Sequence, residues 1–260
     1  MHSLREVAVR NNIAAVDEAV GDAADFAIKR LGMTLEPKQE EVLRVDGRRV
    51  IFNCSRQWGK STVAAVKAVH RAYTKPNTLV LIASPGERQS LGMVRKAAGM
   101  VAALGLEVRG DGGKDPSVLL PNGSSIVGLP ADEGRVRGFA ASMLLIDEAS
   151  RMTDTMYHAL RPMLAVADGD LWLMSTPCGK TGFFYETWAY GGDYWHRISV
   201  PVTESTRISA RFIEEERAVM GPMKFEQEYM CSFVDLGGEL FGRDVVERAL
   251  ADDEEDWDFQ

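Results

Sequence analysis

The sequence predicts an α/β fold in which a mainly parallel sheet is covered by helices on both faces. Two observations lead to this prediction. Short apolar, β-branched runs bounded by Gly, Pro or Asp recur along the chain, which is typical of buried strands. Helix-length stretches lie between several of them, at 60–73, 87–104 and 154–166, and this alternation is typical of a parallel sheet. With 260 residues, of which 45% are hydrophobic, the chain can bury the core of one large α/β domain or of two small ones.

The elements are predicted in chain order as follows. Residues 11–31 carry Val16, Val20, Ala24 and Ala27 near helical spacing, which predicts an amphipathic N-terminal helix that packs as an arm. The predicted strands are RRVIFNC (48–54), TLVLIAS (78–84), SVLLP (117–121), SSIVGLP (124–130), SMLLID (142–147), DLWLMST (170–176) and WHRISV (195–200). The pair Asn122–Gly123 between the third and fourth runs predicts a hairpin turn.

Charge and cysteine content exclude several classes of protein. The formal net charge of −8 argues against a protein that coats nucleic acid by bulk electrostatics, although it is compatible with a local basic strip. Cys54, Cys178 and Cys231 stand far apart without a nearby histidine set, so we expect reduced thiols rather than a zinc site or a disulfide framework. No run approaches the ~18 apolar residues of a membrane span, and the N-terminus lacks a signal core. We therefore expect a cytoplasmic protein.

A phosphate-binding loop is predicted after the first strand. Gly-Lys-Ser/Thr occurs at 59–61 and again at 179–181, but only the first copy has the strand–loop–long helix context that such a loop needs. The candidate nucleotide-binding residues are Ser55, Arg56, Gln57, Trp58, Gly59, Lys60, Ser61 and Thr62. Lys60 would reach the β- and γ-phosphates and Ser61 would ligate Mg²⁺. Cys54 stands where the first glycine of the motif is expected and can replace it if its φ stays negative. The alternative is an ordinary helix N-terminus with a solvated lysine.

An acid pair at the end of SMLLID is the predicted partner of this loop. Asp147 would hold Mg²⁺ through water, and Glu148 would polarise the attacking water. An acid pair at the end of a strand also arises by accident, but here it lies downstream of a phosphate loop in the same α/β pattern.

Two further sites are predicted beside the nucleotide. Gln39 lies just before the first helical turn of its segment, and its amide can both donate to and accept from an adenine edge; a surface glutamine is the alternative. Ser175 and Thr176 end another strand, next to the expected γ-phosphate, and suit a sensor that reports hydrolysis. A plain strand-to-helix turn is the alternative there.

Together these residues resemble the ATPase domain of the large terminase subunit, the DNA-packaging motor of tailed bacteriophages. The resemblance runs from about 35 to 241. The family's phosphate loop, Ser-Arg-Gln-x-Gly-Lys-Ser/Thr, is matched by Ser55, Arg56, Gln57, Gly59, Lys60 and Ser61. Its Asp-Glu-Ala is matched by Asp147, Glu148 and Ala149, and its coupling motif by Ser175, Thr176, Pro177 and Gly179.

The resemblance implies a P-loop NTPase of the ASCE, RecA-like type with ATP and Mg²⁺ as ligands. We expect a helical arm at 1–34, the ATPase domain at 35–236, and an acidic tail or linker at 237–260 toward an absent nuclease domain. No strand-borne carboxylate set follows Gly238, so nuclease activity is not expected of this chain. The implied partners are double-stranded DNA, the portal protein, the small terminase subunit and further copies of the chain. During packaging these copies would form a ring, a pentamer, whereas the isolated chain would be a monomer. The implied setting is the cytoplasm of a bacterial host.

The resemblance also implies a catalytic role for one arginine. Terminases carry an Arg-Gly pair just before the acid-bearing strand, implicated as a finger that reaches the neighbouring subunit's ATP; Arg137–Gly138 matches it. Arg56, inside the phosphate loop, is the rival that would act within one subunit. For DNA, Arg88, Arg95 and Lys96 or Arg207, Arg211 and Arg217 could form a basic patch at helical spacing, with solvated helix faces as the alternative.

Two other classes of function stay open at this stage. A superfamily-2 helicase or translocase fragment would share Gln39, the loop and Asp-Glu-Ala, but needs a second motor domain for which this sequence has no room. A catalytically inactive packaging or scaffold protein would explain Cys54 and the missing nuclease.

Overall fold

The computed structural model describes residues 20–110, 112, 116–129 and 138–235. Seven strands form one sheet in the order β3-β4-β2-β5-β6-β1-β7. They are β1 (Arg49–Cys54), β2 (Leu79–Ala83), β3 (Ser117–Leu119), β4 (Ser125–Gly128), β5 (Met143–Asp147), β6 (Asp170–Ser175) and β7 (His196–Val200). The helices are α1 (Ala23–Lys29), α2 (Pro37–Arg44), α3 (Lys60–Thr74), α4 (Glu87–Ala103), α5 (Asp154–Leu160), α6 (Gly182–Tyr190), α7 (Ala210–Met220) and α8 (Pro222–Glu228).

The sheet is parallel except at one edge, as predicted. β1 pairs in parallel with β6 and β7, β5 with β2 and β6, and β2 with β4. Within the described sheet, β3 and β4 form the one antiparallel pair. Gly123, with φ +84°, turns the chain between them, so the hairpin prediction is confirmed.

Alternating residues of the strands fill two apolar cores, one on each face of the sheet. Phe52 and Val50 of β1 pack on the side that carries α1, α2, α3 and α4, whereas Ile51 points to the side of α5 and α6. This is the period of two expected of a strand. Both faces of β1 are therefore apolar and covered, which is the condition under which a parallel sheet is stable.

Two predicted helices differ from the structure. Within the predicted 11–31 helix, the described helix begins only at Ala23, because Gly21 has φ +68° and Asp22 caps the helix through its side chain; residues 11–19 lie outside the described ranges. The predicted 154–166 helix ends at Leu160 and continues as a 3-10 turn, Arg161–Leu164. Pro162 explains this change, because it has no N–H for an α-helical hydrogen bond.

The strand order decides where the candidate residues meet. β6 lies between β1 and β5, and parallel strands end at the same edge of a sheet. The loop after β1, the acid pair after β5 and the Ser–Thr pair after β6 are therefore brought together. Within the described ranges, no helix is long and apolar enough to cross a membrane.

Candidate nucleotide-binding site

The loop between β1 and α3 has the backbone of a tight phosphate cradle. Cys54 is the last residue of β1 and its φ is not positive, so the condition for replacing the first glycine is met. The turn is made instead by Gln57, with φ 61°, and by Gly59, with φ 98°, directly before α3. A helix N-terminus carries unpaired N–H groups and the positive end of the helix dipole, so it suits a phosphate group.

Lys60 and Glu148 form an ion pair in the centre of the site. Lys60 Nζ lies 2.8 Å from Glu148 Oε1, and both side chains are largely buried. Burial opposes the charged form of Lys60, but the neighbouring Glu148 and Asp147 outweigh it and raise its pKa. The ammonium therefore stays charged where a phosphate group would be bound.

Ser61 and Asp147 place two oxygen atoms side by side. Ser61 Oγ donates to Asp147 Oδ2 at 2.9 Å. Burial raises the pKa of Asp147, against the charge of Lys60, so a cation beside it would favour the ionised form. Hard oxygen donors suit Mg²⁺. Among the described residues no group of three or more His, Cys, Asp or Glu side chains gathers to hold an ion alone, so phosphate and water oxygens would complete the shell.

The Glu148 side chain projects from a backbone in an unusual conformation. It has φ 52° and begins the 3-10 turn Ala149–Arg151, whose last N–H donates to the carbonyl oxygen of Glu148 at 2.9 Å. A left-handed conformation is costly for a residue with a Cβ and is often found at functional sites. The same turn brings Arg151 Nε to 3.7 Å from Glu148 Oε2.

Ser150 links the acid pair to the predicted coupling motif. Its Oγ lies 2.7 Å from Ser175 Oγ and donates to the carbonyl oxygen of Thr176, also at 2.7 Å. Ser175 and Thr176 are buried, and Ser175 pairs in register with Asn53 of β1. The Ser–Thr pair is thus joined to both the acid-bearing turn and the strand that leads into the phosphate loop.

Gln39 touches the phosphate loop rather than open solvent. Its Nε2 donates to the carbonyl oxygen of Trp58 at 2.9 Å, and its Oε1 accepts from the Glu36 N–H at 3.2 Å. Arg207 Nη2 also donates to the Trp58 carbonyl. A surface glutamine is therefore not what the structure shows, although contact with adenine stays a prediction.

Arg56 and Trp58 lie in different surroundings from those expected of direct ligands. Arg56 makes a two-pronged ion pair with the buried Glu228, at 2.6 Å to Oε2 and 3.1 Å to Oε1. Burial raises the pKa of Glu228, but the hydrogen bond and charge of Arg56 outweigh it, so that pKa is lowered. The Trp58 side chain is fully buried in the apolar core, so it is not placed to contact a ligand.

The second Gly-Lys-Thr is not a phosphate loop in this structure. Gly179 N–H donates to Gln227 Oε1 at 3.1 Å in a buried contact, and α6 begins only at Gly182. An N–H that is already paired with a protein amide is not free for a phosphate oxygen. The choice of the first motif over the second is supported by this pairing.

The structure supports one of the two predicted basic patches and contradicts the spacing of the other. Arg88, Arg95 and Lys96 are exposed on α4, as a patch requires. Arg207 lies before α7 begins and is bound to Glu36 and the phosphate loop, so the helical spacing assumed for Arg207, Arg211 and Arg217 is wrong. Arg137 lies outside the described residues; Gly138 has φ 101°.

Four residues that contact the candidate site were not identified from the sequence: Glu36, Ser150, Arg151 and Glu228. Glu228 is separated from Arg56 by 172 positions, so no local pattern marks it. Ser150 and Arg151 directly follow Asp-Glu-Ala, and only their closeness to that motif could have drawn notice.

Comparison with known proteins gives consistent results at the level of family and fold. The family model described as terminase large subunit, T4likevirus-type, N-terminal, matches residues 51–248. The terminase large subunit of Escherichia phage T5 is 28% identical over 202 residues, which cover 74% of this chain and 46% of that protein. The chain thus spans about half the length of that relative.

Solved structures agree on the fold. The large terminase ATPase domain of Thermus phage P74-26 superposes with a TM-score of 0.71 at 22% identity, covering 82% of this chain and 99% of that one. The large terminase of the thermophilic bacteriophage D6E in complex with ADP gives a TM-score of 0.63 at 15% identity, covering 77% of this chain and 54% of that one. The predicted RecA-like P-loop class of fold is confirmed by these likenesses.

Proposed function

Since the chain belongs to the terminase large subunit family, of which it matches the N-terminal model, we propose that it hydrolyses ATP to drive double-stranded DNA into a phage procapsid. One observation carries the ATPase assignment. Lys60, Ser61, Asp147 and Glu148 converge at the carboxyl edge of the sheet, with Lys60 paired to Glu148 and Ser61 to Asp147. A lysine at the phosphate loop and an acid pair beside it are the parts that phosphoryl transfer requires.

Each residue has a distinct task in this proposal. The Lys60 ammonium binds the β- and γ-phosphates and, in doing so, leaves Glu148. The freed Glu148 carboxylate then orients the attacking water and accepts its proton. Ser61 and Asp147 would hold Mg²⁺, which supplies charge neutralisation on the phosphate oxygens when bound. Arg56 is paired with Glu228 in this structure, so it would have to leave that carboxylate to act on the γ-phosphate within one subunit.

The coupling of hydrolysis to movement is proposed for Ser175 and Thr176. Ser150 joins them to the turn that carries Glu148, so a shift of Glu148 on phosphate release would reach β6 directly. The proposed partners are duplex DNA, the portal protein, the small terminase subunit and further copies of the chain in a ring. The exposed Arg88, Arg95 and Lys96 on α4 are the candidates for contact with DNA phosphates.

The proposal is tested by measuring ATP binding and turnover in Lys60→Ala and Glu148→Gln. Lys60→Ala should weaken binding of a non-hydrolysable analogue and abolish hydrolysis, because it removes the phosphate ligand. Glu148→Gln should keep analogue binding and lose turnover by about 10²- to 10⁴-fold, the usual range for a general base.

Turnover by the wild type also separates this function from an inactive scaffold protein, which would show none above background. Lys38→Ala is a suitable control, since Lys38 forms a surface pair with Glu41 on α2. Turnover in Lys60→Ala equal to that of the wild type would exclude the assignment. A helicase fragment is not favoured, because the family match is to terminases.

A further inference from the structure

Arg151 lies beside the proposed catalytic carboxylate and has no task in the mechanism above. Its guanidinium bridges two acids: Nε is 3.7 Å from Glu148 Oε2, and Nη2 donates to Glu228 Oε1 at 3.2 Å. The Arg151 side chain is 42% exposed, whereas that of Glu228 is only 3% exposed. An arginine tied to a buried carboxylate is less free to move than a solvated surface arginine.

We propose that Arg151 is a positioning residue for Glu148, which fixes the direction of its carboxylate during hydrolysis. This inference rests on the proposed function. The two oxygens of Glu148 face different cations, Oε1 facing Lys60 and Oε2 facing Arg151. When Lys60 binds phosphate, Oε1 is released on the phosphate side while Arg151 still holds Oε2. The oxygen left free is then the one that faces the attacking water.

The backbone fixes the spacing between Glu148 and Arg151. Glu148 caps the 3-10 turn Ala149–Arg151, and the Arg151 N–H donates to the Glu148 carbonyl oxygen. The left-handed Glu148 backbone, with φ 52°, leads directly into this turn. This hydrogen bond therefore holds the Arg151 backbone one turn away from that of Glu148.

Glu228, which lies outside the turn, binds the Arg151 guanidinium. It ends α8, and its backbone carbonyl also accepts from the Arg56 N–H at 3.1 Å. Arg56 occupies both oxygens of Glu228, and Arg151 shares Oε1. Charge-assisted pairs of this kind give geometric specificity as well as energy. Arg151 is thus anchored on α8 at one side and on the catalytic carboxylate at the other.

The test compares Arg151→Gln, Arg151→Lys and the control Arg48→Gln in the full chain, at the protein concentration that gives the highest wild-type turnover. Arg48 is also paired with carboxylates, those of Asp168 and Asp170, but it lies just before β1, at the edge of the sheet opposite the site. A misplaced catalytic group costs about 10²-fold in rate, so we expect kcat of Arg151→Gln to fall by roughly tenfold to hundredfold. Affinity for a non-hydrolysable ATP analogue should stay within about twofold of the wild type, because Arg151 contacts Glu148 and Glu228 and neither is a proposed phosphate ligand.

Two further measurements separate positioning from a merely structural role. Arg151→Lys should recover part of the lost kcat, because it restores a cation of similar reach. In a Glu148→Gln background, Arg151→Gln should cause no further loss, since the group it positions is already gone. Arg151→Gln with wild-type kcat, a parallel loss of analogue affinity, or an additive loss in the double variant would each overturn the inference. Absence of hydrolysis in the wild type would instead overturn the proposed function.

Discussion

At the level of single residues, the charged groups of the site are paired with one another. Lys60 lies between Glu148 and Asp147, which together raise its pKa despite its burial. Glu228 keeps a lowered pKa, because the hydrogen bond and charge of Arg56 outweigh its own burial. The site is therefore held in a paired, charged state, and a phosphate group must compete with Glu148 for Lys60.

Gly59 is predicted to be irreplaceable at the end of the phosphate loop. Its φ is 98°, and a Cβ there would lie 2.8 Å from Arg207 Nη2 and 3.0 Å from Gln39 Nε2. Gly59→Ala should lower the free energy of unfolding by at least the ~1–2 kcal/mol that a left-handed residue costs. It should also weaken binding of an ATP analogue. Urea unfolding and calorimetry measure the two effects.

Gly92→Ala is the matched control for that substitution. Gly92 lies within α4, and a Cβ there meets nothing within 4 Å. Alanine is the better helix former by about 0.5–1 kcal/mol, so this variant should be slightly more stable and bind the analogue normally. Equal stability and equal analogue binding in Gly59→Ala and wild type would contradict the account of the loop.

At the level of elements, the segment between β7 and α7 is fastened to α2 by one carboxylate. Glu36 Oε1 accepts from the Thr206 N–H at 2.6 Å, from Thr206 Oγ1 at 2.9 Å and from the Arg207 N–H at 3.1 Å. Arg207 in turn contacts the phosphate loop at the Trp58 carbonyl. The packing of this segment is therefore coupled to the shape of the loop.

This fastening should depend on pH. Burial raises the pKa of Glu36, but the hydrogen bonds from Thr206 and the charge of Arg207 outweigh it, so the pKa is lowered. A lowered carboxyl pKa adds stability above the unfolded value, ~4.3, and this stability is lost as pH falls through the folded value. Glu36→Gln should therefore cost about 1.5–3 kcal/mol near pH 7, and the difference should shrink toward pH 3.

Denaturant unfolding of both proteins between pH 7 and pH 3 measures this difference. Glu41→Gln is the control, because Glu41 is an exposed residue of α2 paired at the surface with Lys38; its effect should stay within about 0.5 kcal/mol at every pH. A Glu36→Gln difference that does not change with pH would show that the ionised carboxylate is not what holds the segment.

At the level of the whole molecule, the sheet order makes one continuous site from three separate strands. β6 lies between β1 and β5, so the coupling motif is placed between the phosphate loop and the acid pair. In a packaging ring, as proposed, a residue from a neighbouring copy could complete this site. Arg137 is our candidate for that residue.

Hydrolysis per subunit should therefore rise with protein concentration, or with DNA and portal present, while the isolated chain binds ATP and turns it over slowly. Charge on the γ-phosphoryl group in the transition state is stabilised by an added guanidinium by roughly 10³- to 10⁵-fold in rate. Arg137→Ala should lose most of this gain under assembling conditions, and mixing it with Glu148→Gln should restore activity at mixed interfaces. Wild-type turnover by assembled Arg137→Ala would move the finger role to Arg56.

The sequence alone determined the class of fold and the central chemistry of the site. Strand and helix patterns are local, so β1, α3 and β5 could be predicted within a residue or two at their ends. The triplet Gly59–Ser61 and the pair Asp147–Glu148 follow strands, and the carboxyl ends of parallel strands meet at one edge. The closeness of this triplet and this acid pair in space was thus predictable without coordinates.

Only the tertiary structure decided which charges pair. Arg56 meets Glu228 across 172 positions, and Glu36 meets Arg207 across 171; Arg151 bridges Glu148 and Glu228. Residue spacing reports which face of an element is apolar, but a polar side chain's partner depends on the strand order and on how α8 packs against the loop. These are set by the burial of the whole core, which no local stretch of sequence contains.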